Sequence, residues 1–298
     1  MSIFFKPPRN SYDEQDFSET LDRLKSNGVN SLFLTPCLFQ KTAECDSIFK
    51  TSATITDDNL VAAVKLARSV GFSVGLKPHI DLLNGEPRFT INSRNWSRWF
   101  HHYRMHILHY ARMADQENLD LLVLGTELDN AASRPEFSDL IGEVRDIFGG
   151  KVTYASSYND FLSVDFWDDL DYIGANCWFN LDNGSGSPAQ IHQAWNHWLN
   201  LLSEFANYKN KPVLITEAGF RSIKGAAVNP GEWSFTGDPD METQAECYEG
   251  LLSQIGLFPS ISGIYWWQWE LGGVGGPQNT DYTPRGKLAE EVIRKYWF

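Results

Sequence analysis

Cysteine is scarce: Cys37, Cys45, Cys177 and Cys247 are the only four in 298 residues. No two form a C-x-x-C pair and none stands at metal-ligand spacing from a histidine, so neither a zinc site nor any other metal is expected. Free thiols are the expectation, although Cys37 and Cys45 are close enough along the chain to pair. Long apolar runs are missing too. No segment approaches the roughly 18 residues that span a bilayer, so no contact with membrane is expected. The start of the chain, Met1-Ser-Ile-Phe-Phe-Lys-Pro-Pro8, lacks the charged region and apolar run of a signal peptide. The expected location is cytoplasmic, or secreted with a leader already removed. Positive charge is also short, with 25 Lys and Arg against 38 Asp and Glu, a net charge of −13. Such a surface repels nucleic acid and anionic lipid and disfavours polyanionic substrates, which leaves a neutral partner.

What is present is an ordinary globular balance, 42% hydrophobic and 21% charged. One α/β barrel of about 250 residues fits this length, so residues 1–298 are expected to form a single domain and a monomer. Apolar runs mark strands at Ile3–Phe5, Leu32–Leu34, Phe72–Leu76, Leu121–Leu124, Val152–Ala155, Tyr172–Ala175, Val213–Ile215 and Gly263–Trp267. Helical patterns lie between them. Ser11 and Glu14 have capping-box spacing, Thr56 is placed as an N-cap, and Pro135 stands at a first helical turn. A short helix is expected over 161–169, and 180–188 is a polar Gly/Ser loop. Eight strands alternating with helices indicate a parallel sheet, and eight such units close a (β/α)8 TIM barrel.

Two runs end in the same way. Val213 to Ile215 leads into Glu217, and Leu121 to Leu124 leads into Glu127. Active groups of these barrels stand at the C-terminal strand ends, so both carboxylates fall on one rim, from the fourth and seventh strands. Either glutamate alone could be an ion pair at a strand end. As a pair they suit glycoside hydrolysis, in which one acid protonates a leaving oxygen and one carboxylate attacks the anomeric carbon. Eleven tryptophans, several near strand ends, would give a cleft flat faces for sugar rings.

The stretches Gly71-Phe-Ser-Val-Gly-Leu-Lys-Pro-His-Ile-Asp81, Gly125-Thr-Glu-Leu128, Asp171-Tyr-Ile-Gly-Ala-Asn176, Thr216-Glu-Ala-Gly-Phe-Arg-Ser222, Tyr265-Trp-Trp-Gln-Trp269 and Tyr282-Thr-Pro-Arg-Gly-Lys287 occur in an order that resembles the clan A glycoside hydrolases. Within the clan the chain is most similar to glycoside hydrolase family 113, known mainly for β-1,4-mannanases. That resemblance implies a retaining enzyme without cofactor, acting on a neutral oligosaccharide or polysaccharide, with Glu127 as acid/base and Glu217 as nucleophile. Two positions depart from the clan pattern. Thr126 stands where most members place an asparagine that touches the sugar 2-hydroxyl. Trp178 stands where a tyrosine often donates to the nucleophile. These departures keep open another clan A β-glycosidase, acting on glucan, xylan or an amino-sugar polymer. A binding barrel without turnover is the alternative of a different class.

Further rim residues follow from strand position. Lys77, His79 and Asp81 come after the third strand and either hold sugar hydroxyls or form an ion pair beside a satisfied histidine. Asn176 ends the sixth strand. One of Trp267 and Trp269 is expected to floor a sugar while the other packs. Trp178, Trp233 and Tyr158 are candidate stacking walls, and Arg221 is expected to orient Glu217 or a loop carbonyl. His101, His102, His106 and His109 share a helix, and helices lie outside such a barrel, so they read as a packing or solvated face.

Overall fold

Short apolar runs bounded by Pro, Gly and Asn become parallel strands because both faces of each run can be buried. The computed structural model describes residues 1–4, 12, 14–184 and 187–297. Phe5, Pro7, Pro8 and the capping residue Ser11 lie outside the described residues, as do Ser185 and Gly186 of the polar loop. The described strands are β1 (Ser2–Phe4), β2 (Ser31–Leu34), β3 (Cys37–Gln40), β4 (Ser73–Leu76), β5 (His79–Leu82), β6 (Leu121–Thr126), β7 (Lys151–Ser156), β8 (Ile173–Asn176), β9 (Val213–Ala218), β10 (Ile261–Trp266) and β11 (Trp269–Glu270).

Nine of these strands form one parallel sheet in the order β10-β9-β8-β7-β6-β4-β2-β1-β11. The two ends of that order, β10 and β11, are consecutive pieces of chain separated by Trp267-Gln268, whose peptide bond is cis. The sheet therefore closes as a (β/α)8 barrel whose eighth stave is in two pieces. The remaining strands, β3 and β5, extend the second and third staves as a parallel ribbon, with Cys37 opposite His79 and Phe39 opposite Asp81. Sequence patterning did not anticipate this ribbon: Lys77 to Asp81 were expected to follow a strand, whereas His79 begins another.

The described helices are α1 (Glu14–Ser26), α2 (Asp57–Ser69), α3 (Trp96–Gln116), α4 (Asp129–Ala132), α5 (Pro135–Arg145), α6 (Pro188–Lys209), α7 (Met241–Leu252) and α8 (Leu288–Trp297). Thr56 caps α2 by accepting from Asn59 N–H, and Pro135 opens α5, as their positions require. The helix expected over 161–169 is replaced by one 3-10 turn, Phe166–Asp169. Phe166 stacks on Phe137 of α5 with centroids 4.8 Å apart and Trp167 is fully buried, so two aromatics cover this stave in place of a helical face. The histidine face of α3 pins the segment after β3. His102 donates to Asp46 O at 2.7 Å, His106 donates to Ile48 O at 3.1 Å, and His109 lies 3.0 Å from the Asp57 carboxylate.

Inside the barrel, Phe33, Leu121, Val123, Ala155, Leu214 and Tyr265 form a cluster separate from the sheet-to-helix core. Phe33 and Tyr265 stack at 3.6 Å. A Cβ at Gly75 would meet the Phe33 ring at 2.8 Å, so glycine on β4 is what lets that ring lie across the interior. This plug is the floor on which the polar rim stands.

The first and last helices are held together by a buried carboxylate. Glu290 of α8 accepts two hydrogen bonds from Arg23 of α1 at 2.6 Å, one from Asn27 at 2.8 Å and one from Gly286 N–H at 2.7 Å. Burial raises its pKa, but the bonds from Arg23, Gly286 and Asn27 outweigh this and hold it below the ordinary carboxylate value. Glu290→Ala leaves the buried Asn27 amide short of a partner and is expected to cost about 2–3 kcal/mol. Each kcal/mol moves Tm by about 2–4 °C in a domain of this order of size. Because the folded pKa is depressed, the contribution is complete above the ordinary carboxylate range and is lost as pH falls through the folded value. Thermal melts of the two proteins should therefore converge in acid; parallel melting curves down to low pH would contradict this.

Candidate active site

Both glutamate-bearing strands lose regular register just before they deliver their carboxylate. On β9, Ala175 pairs with Ile215 and Asn176 with Glu217, so one residue of β8 is passed by two of β9; the pairing with β10 also shifts here. On β6, Val123 pairs with Thr153 and Thr126 with Ala155, a second shift. Glu127 then adopts φ +52°, a left-handed conformation that is rare for a residue with a β-carbon. Its N–H donates to Ala155 O at 2.8 Å, and the next N–H, of Leu128, donates to the Tyr154 hydroxyl at 2.8 Å. Bulges of this kind re-aim side chains at barrel rims, and backbone strain of this kind is found at functional sites.

Asn176 links the two strand ends. Its Nδ2 donates to Glu127 Oε1 at 2.9 Å, and its Oδ1 accepts from the Thr216 hydroxyl at 2.8 Å. The residue after Thr216 is Glu217, buried to 3% exposure. Lys77, with no exposed surface at all, donates to Glu217 Oε1 and to Thr216 O, the latter at 3.2 Å. Of the two alternatives for Lys77, the ion pair is the arrangement found. The nearest nitrogen of His79 is 3.9 Å from Glu217 Oε1, outside hydrogen-bond range.

Burial pushes the Glu217 carboxyl above its ordinary pKa; the Lys77 charge opposes this and the Glu127 charge adds to it. Lys77 responds in the opposite sense: burial lowers its pKa, and Glu217 holds it up. Burial thus works against both charges and contact sustains both, so the pair stands or falls together. His79 is pushed well below its ordinary value by burial, then by the charges of Arg88 and Lys77, and is neutral at pH 7. Both its ring nitrogens are buried without a hydrogen-bond partner, while the ring stacks on Trp267 at 5.4 Å. Thr126 is buried and its hydroxyl is likewise without a partner.

The remaining residues divide. Trp267 is half-buried at the break in the eighth stave, over Lys77 (5.6 Å) and beside His79, whereas Trp269 is fully buried under Arg23 at 5.9 Å and belongs to the core. Trp266 is also core, stacked on Tyr248 at 3.8 Å. The expected division between Trp267 and Trp269 thus falls on either side of the break between β10 and β11. Trp178 is half-buried and edge-on to Tyr282 at 5.7 Å. Arg221 donates to the carbonyls of Trp233 and Phe235, so it holds the loop after β9 and makes no bond to Glu217. Trp233 and Tyr158 are exposed, Tyr158 edge-on to Phe179 at 6.0 Å. Asp81 is bound to Arg88 at 2.7 Å.

Two charged residues near the carboxylates were missed. Arg88 stands in the 3-10 turn Arg88–Thr90 after β5, where the charges of Asp81, Glu127 and Glu217 together hold its guanidinium charged despite burial. Asp129, at the start of α4, accepts from Ser157 Oγ at 2.7 Å; burial, with the charges of Asp160 and Glu127, pushes its pKa up to about 7. Neither follows an apolar run, so strand-end reasoning could not find Arg88; the Glu127-Leu-Asp129 spacing was the available signal for Asp129. The four cysteines are free thiols. Among the described residues no group of three or more His, Cys, Asp or Glu is placed to hold a metal ion, and no helix is long and apolar enough to cross a membrane.

Comparison with known proteins places the fold and the family. No curated protein sequence matches. Among solved structures, a complex of a GH113 β-1,4-mannanase superposes with a TM-score of 0.91 at 25% identity, over 100% of this chain and 97% of that one. The GH113 β-mannanase AaManA from Alicyclobacillus acidocaldarius, in complex with ManMIm, gives 0.89 at 22% identity over 100% and 96%. A β-glucuronidase from Faecalibacterium prausnitzii gives 0.67 at 16% identity, covering 99% of this chain and 47% of that one. The sequence matches the family model Glycoside Hydrolase Family 113 over residues 1–287, and the chain belongs to that family.

Proposed function

We propose that this protein is a retaining glycoside hydrolase that cleaves β-1,4-linked mannan or manno-oligosaccharides by double displacement. The observation that carries the reading is the bridged pair at the rim: Glu127 held by Asn176, Asn176 held by Thr216, and Glu217 next in the chain with Lys77 as its counter-ion. Glu217 attacks C1 as its carboxylate while Glu127 donates a proton to the leaving oxygen. Glu127 then takes a proton from water, which attacks C1 and releases the sugar from Glu217. The Asn176 amide donates to Glu127 Oε1, which leaves Oε2 as the oxygen that carries and returns the proton. Trp267 offers a flat face for the sugar beside His79, and the orphaned His79 nitrogens and Thr126 hydroxyl are the polar groups free to meet its hydroxyls. The mannan preference rests on family membership and on the mannanases with the same fold.

The test is hydrolysis of mannohexaose and of β-1,4-mannan beside glucan, xylan and amino-sugar polymers, with the first-formed anomer read by proton NMR. Mannan cleavage with the β-anomer appearing first is the expected result. Cleavage of another polymer alone would favour a different β-glycosidase, and an α-anomer would exclude retention.

A further inference from the structure

We infer that Lys77 is a positioning residue of the nucleophile, holding Oε1 of Glu217 by a charged hydrogen bond from across the barrel. The inference rests on Glu217 being the nucleophile. Trp178 packs edge-on against Tyr282, and the carboxylate's Oε1 accepts instead from Lys77, on the opposite side of the barrel. Lys77 directly follows β4, above the Phe33 ring at 5.9 Å, and has no contact with solvent. Its ammonium is fixed on Oε1 and on Thr216 O, which leaves Oε2 as the attacking oxygen.

The charge balance gives Lys77 a second task. Before reaction, Glu217 is a carboxylate and Glu127 carries a proton. When Oε2 bonds to C1 and the C1–O bond breaks, the leaving oxygen takes the Glu127 proton. Glu217 is then a neutral ester and Glu127 a carboxylate. Water reverses this: its oxygen bonds to C1, its proton returns to Glu127, and the C1–Oε2 bond breaks. One negative charge moves from Glu217 to Glu127 and back, and Lys77 lies within electrostatic reach of both. A fixed cation in contact with Glu217 and within electrostatic reach of Glu127 balances the one negative charge wherever it rests, so neither half-reaction strands it unpaired. The other charged and titratable groups around the two carboxylates and Lys77 are Arg88, itself bound to Asp81, the neutral His79, the buried amino group of Met1, Tyr282, and, beside Glu127, Asp129 and Tyr154.

The experiment measures kcat/KM against pH for wild type, Lys77→Met, Lys77→Gln and Lys77→Arg, using an activated aryl β-mannoside, with folding checked by thermal melts. Lys77→Met should lose about 100-fold or more at the wild-type optimum, and its acid limb should move up by about one pH unit, equivalent to a tenfold loss of nucleophile ionisation at fixed pH. Lys77→Arg, which keeps the charge, should keep the acid limb near its wild-type position. Lys77→Gln fills nearly the same volume and decides the matter if the Met variant does not fold. An acid limb unmoved in whichever neutral variant is folded would overturn the role, however much rate is lost, because a merely structural lysine has no reason to shift it. Glu217→Ala separates the two levels. If that variant keeps wild-type turnover, the nucleophile assignment itself falls; if it is inactive and the neutral Lys77 variants keep the wild-type limb, only the role of Lys77 falls.

Discussion

Glu217→Ala is expected to lower turnover on manno-oligosaccharides by about 10⁴–10⁶-fold, the scale of removing an activated nucleophile from a hydrolase. Glu127→Ala should lose less on a substrate with a good leaving group, about 10²–10⁴-fold, because such a group departs without a proton and only the base-assisted second step suffers. Azide separates the roles by stereochemistry. In Glu127→Ala the glycosyl-enzyme still forms, and azide displaces Glu217 from the opposite face to give the β-glycosyl azide. In Glu217→Ala no ester forms, azide enters the space that the carboxylate vacated, and the product is the α-glycosyl azide. α-Azide from Glu127→Ala with β-azide from Glu217→Ala would reverse the assignment, and the same anomer from both would overturn it. Asn176→Ala belongs to the same series: it removes the one hydrogen bond that orients Glu127 from β8, and its loss should fall on the proton-transfer steps rather than on the binding of substrate. A fall in kcat that shrinks as the leaving group improves would mark that role.

The frame that positions these groups was legible in the sequence, and the reason is physical. A strand buried on both faces must be a run of apolar residues, and a barrel places its chemistry where such runs end. That reasoning reached Glu127 and Glu217 without coordinates, and the ordered motifs pointed to the family. What could not be read are features that depend on register. The shifts at the tops of β6 and β9 leave no mark in composition, yet they set which way each glutamate points. The Glu127–Asn176–Thr216 chain joins residues from three strands, and nothing local signals it. Lys77 looked equally suited to a sugar hydroxyl or an ion pair, because a lysine at a strand end is ambiguous until its neighbour across the barrel is known. The ribbon of β3 and β5 was hidden by Pro36 and Pro78, which break the apolar pattern and make one extended stave look like a strand followed by a loop.

Two tryptophans two residues apart should give opposite phenotypes. Trp267→Ala removes the face that stacks with His79, and this half-buried residue is not one of those that build the hydrophobic core. A lost aromatic platform is expected to cost about 2–4 kcal/mol of transition-state binding, or roughly 30- to 1,000-fold in kcat/KM, with Tm nearly unchanged. Trp269→Ala is the reverse case. That ring has no exposed surface and packs beneath Arg23, so truncation leaves a large cavity and should cost about 3–5 kcal/mol of stability. Kinetics on the fraction that remains folded should stay near wild type. Gly219→Ala tests the same point from the end of the neighbouring strand, β9. A Cβ there would run into the Trp267 carbonyl oxygen, a backbone atom that cannot rotate away, so β9 and the break in the eighth stave must separate. The displacement falls on Trp267 and on Glu217 two residues earlier, and the variant should lose activity as Trp267→Ala does while also losing stability. A Gly219→Ala enzyme with wild-type kcat/KM would mean that the position of Trp267 does not govern the reaction, and the floor of the sugar site would have to be sought elsewhere on the rim.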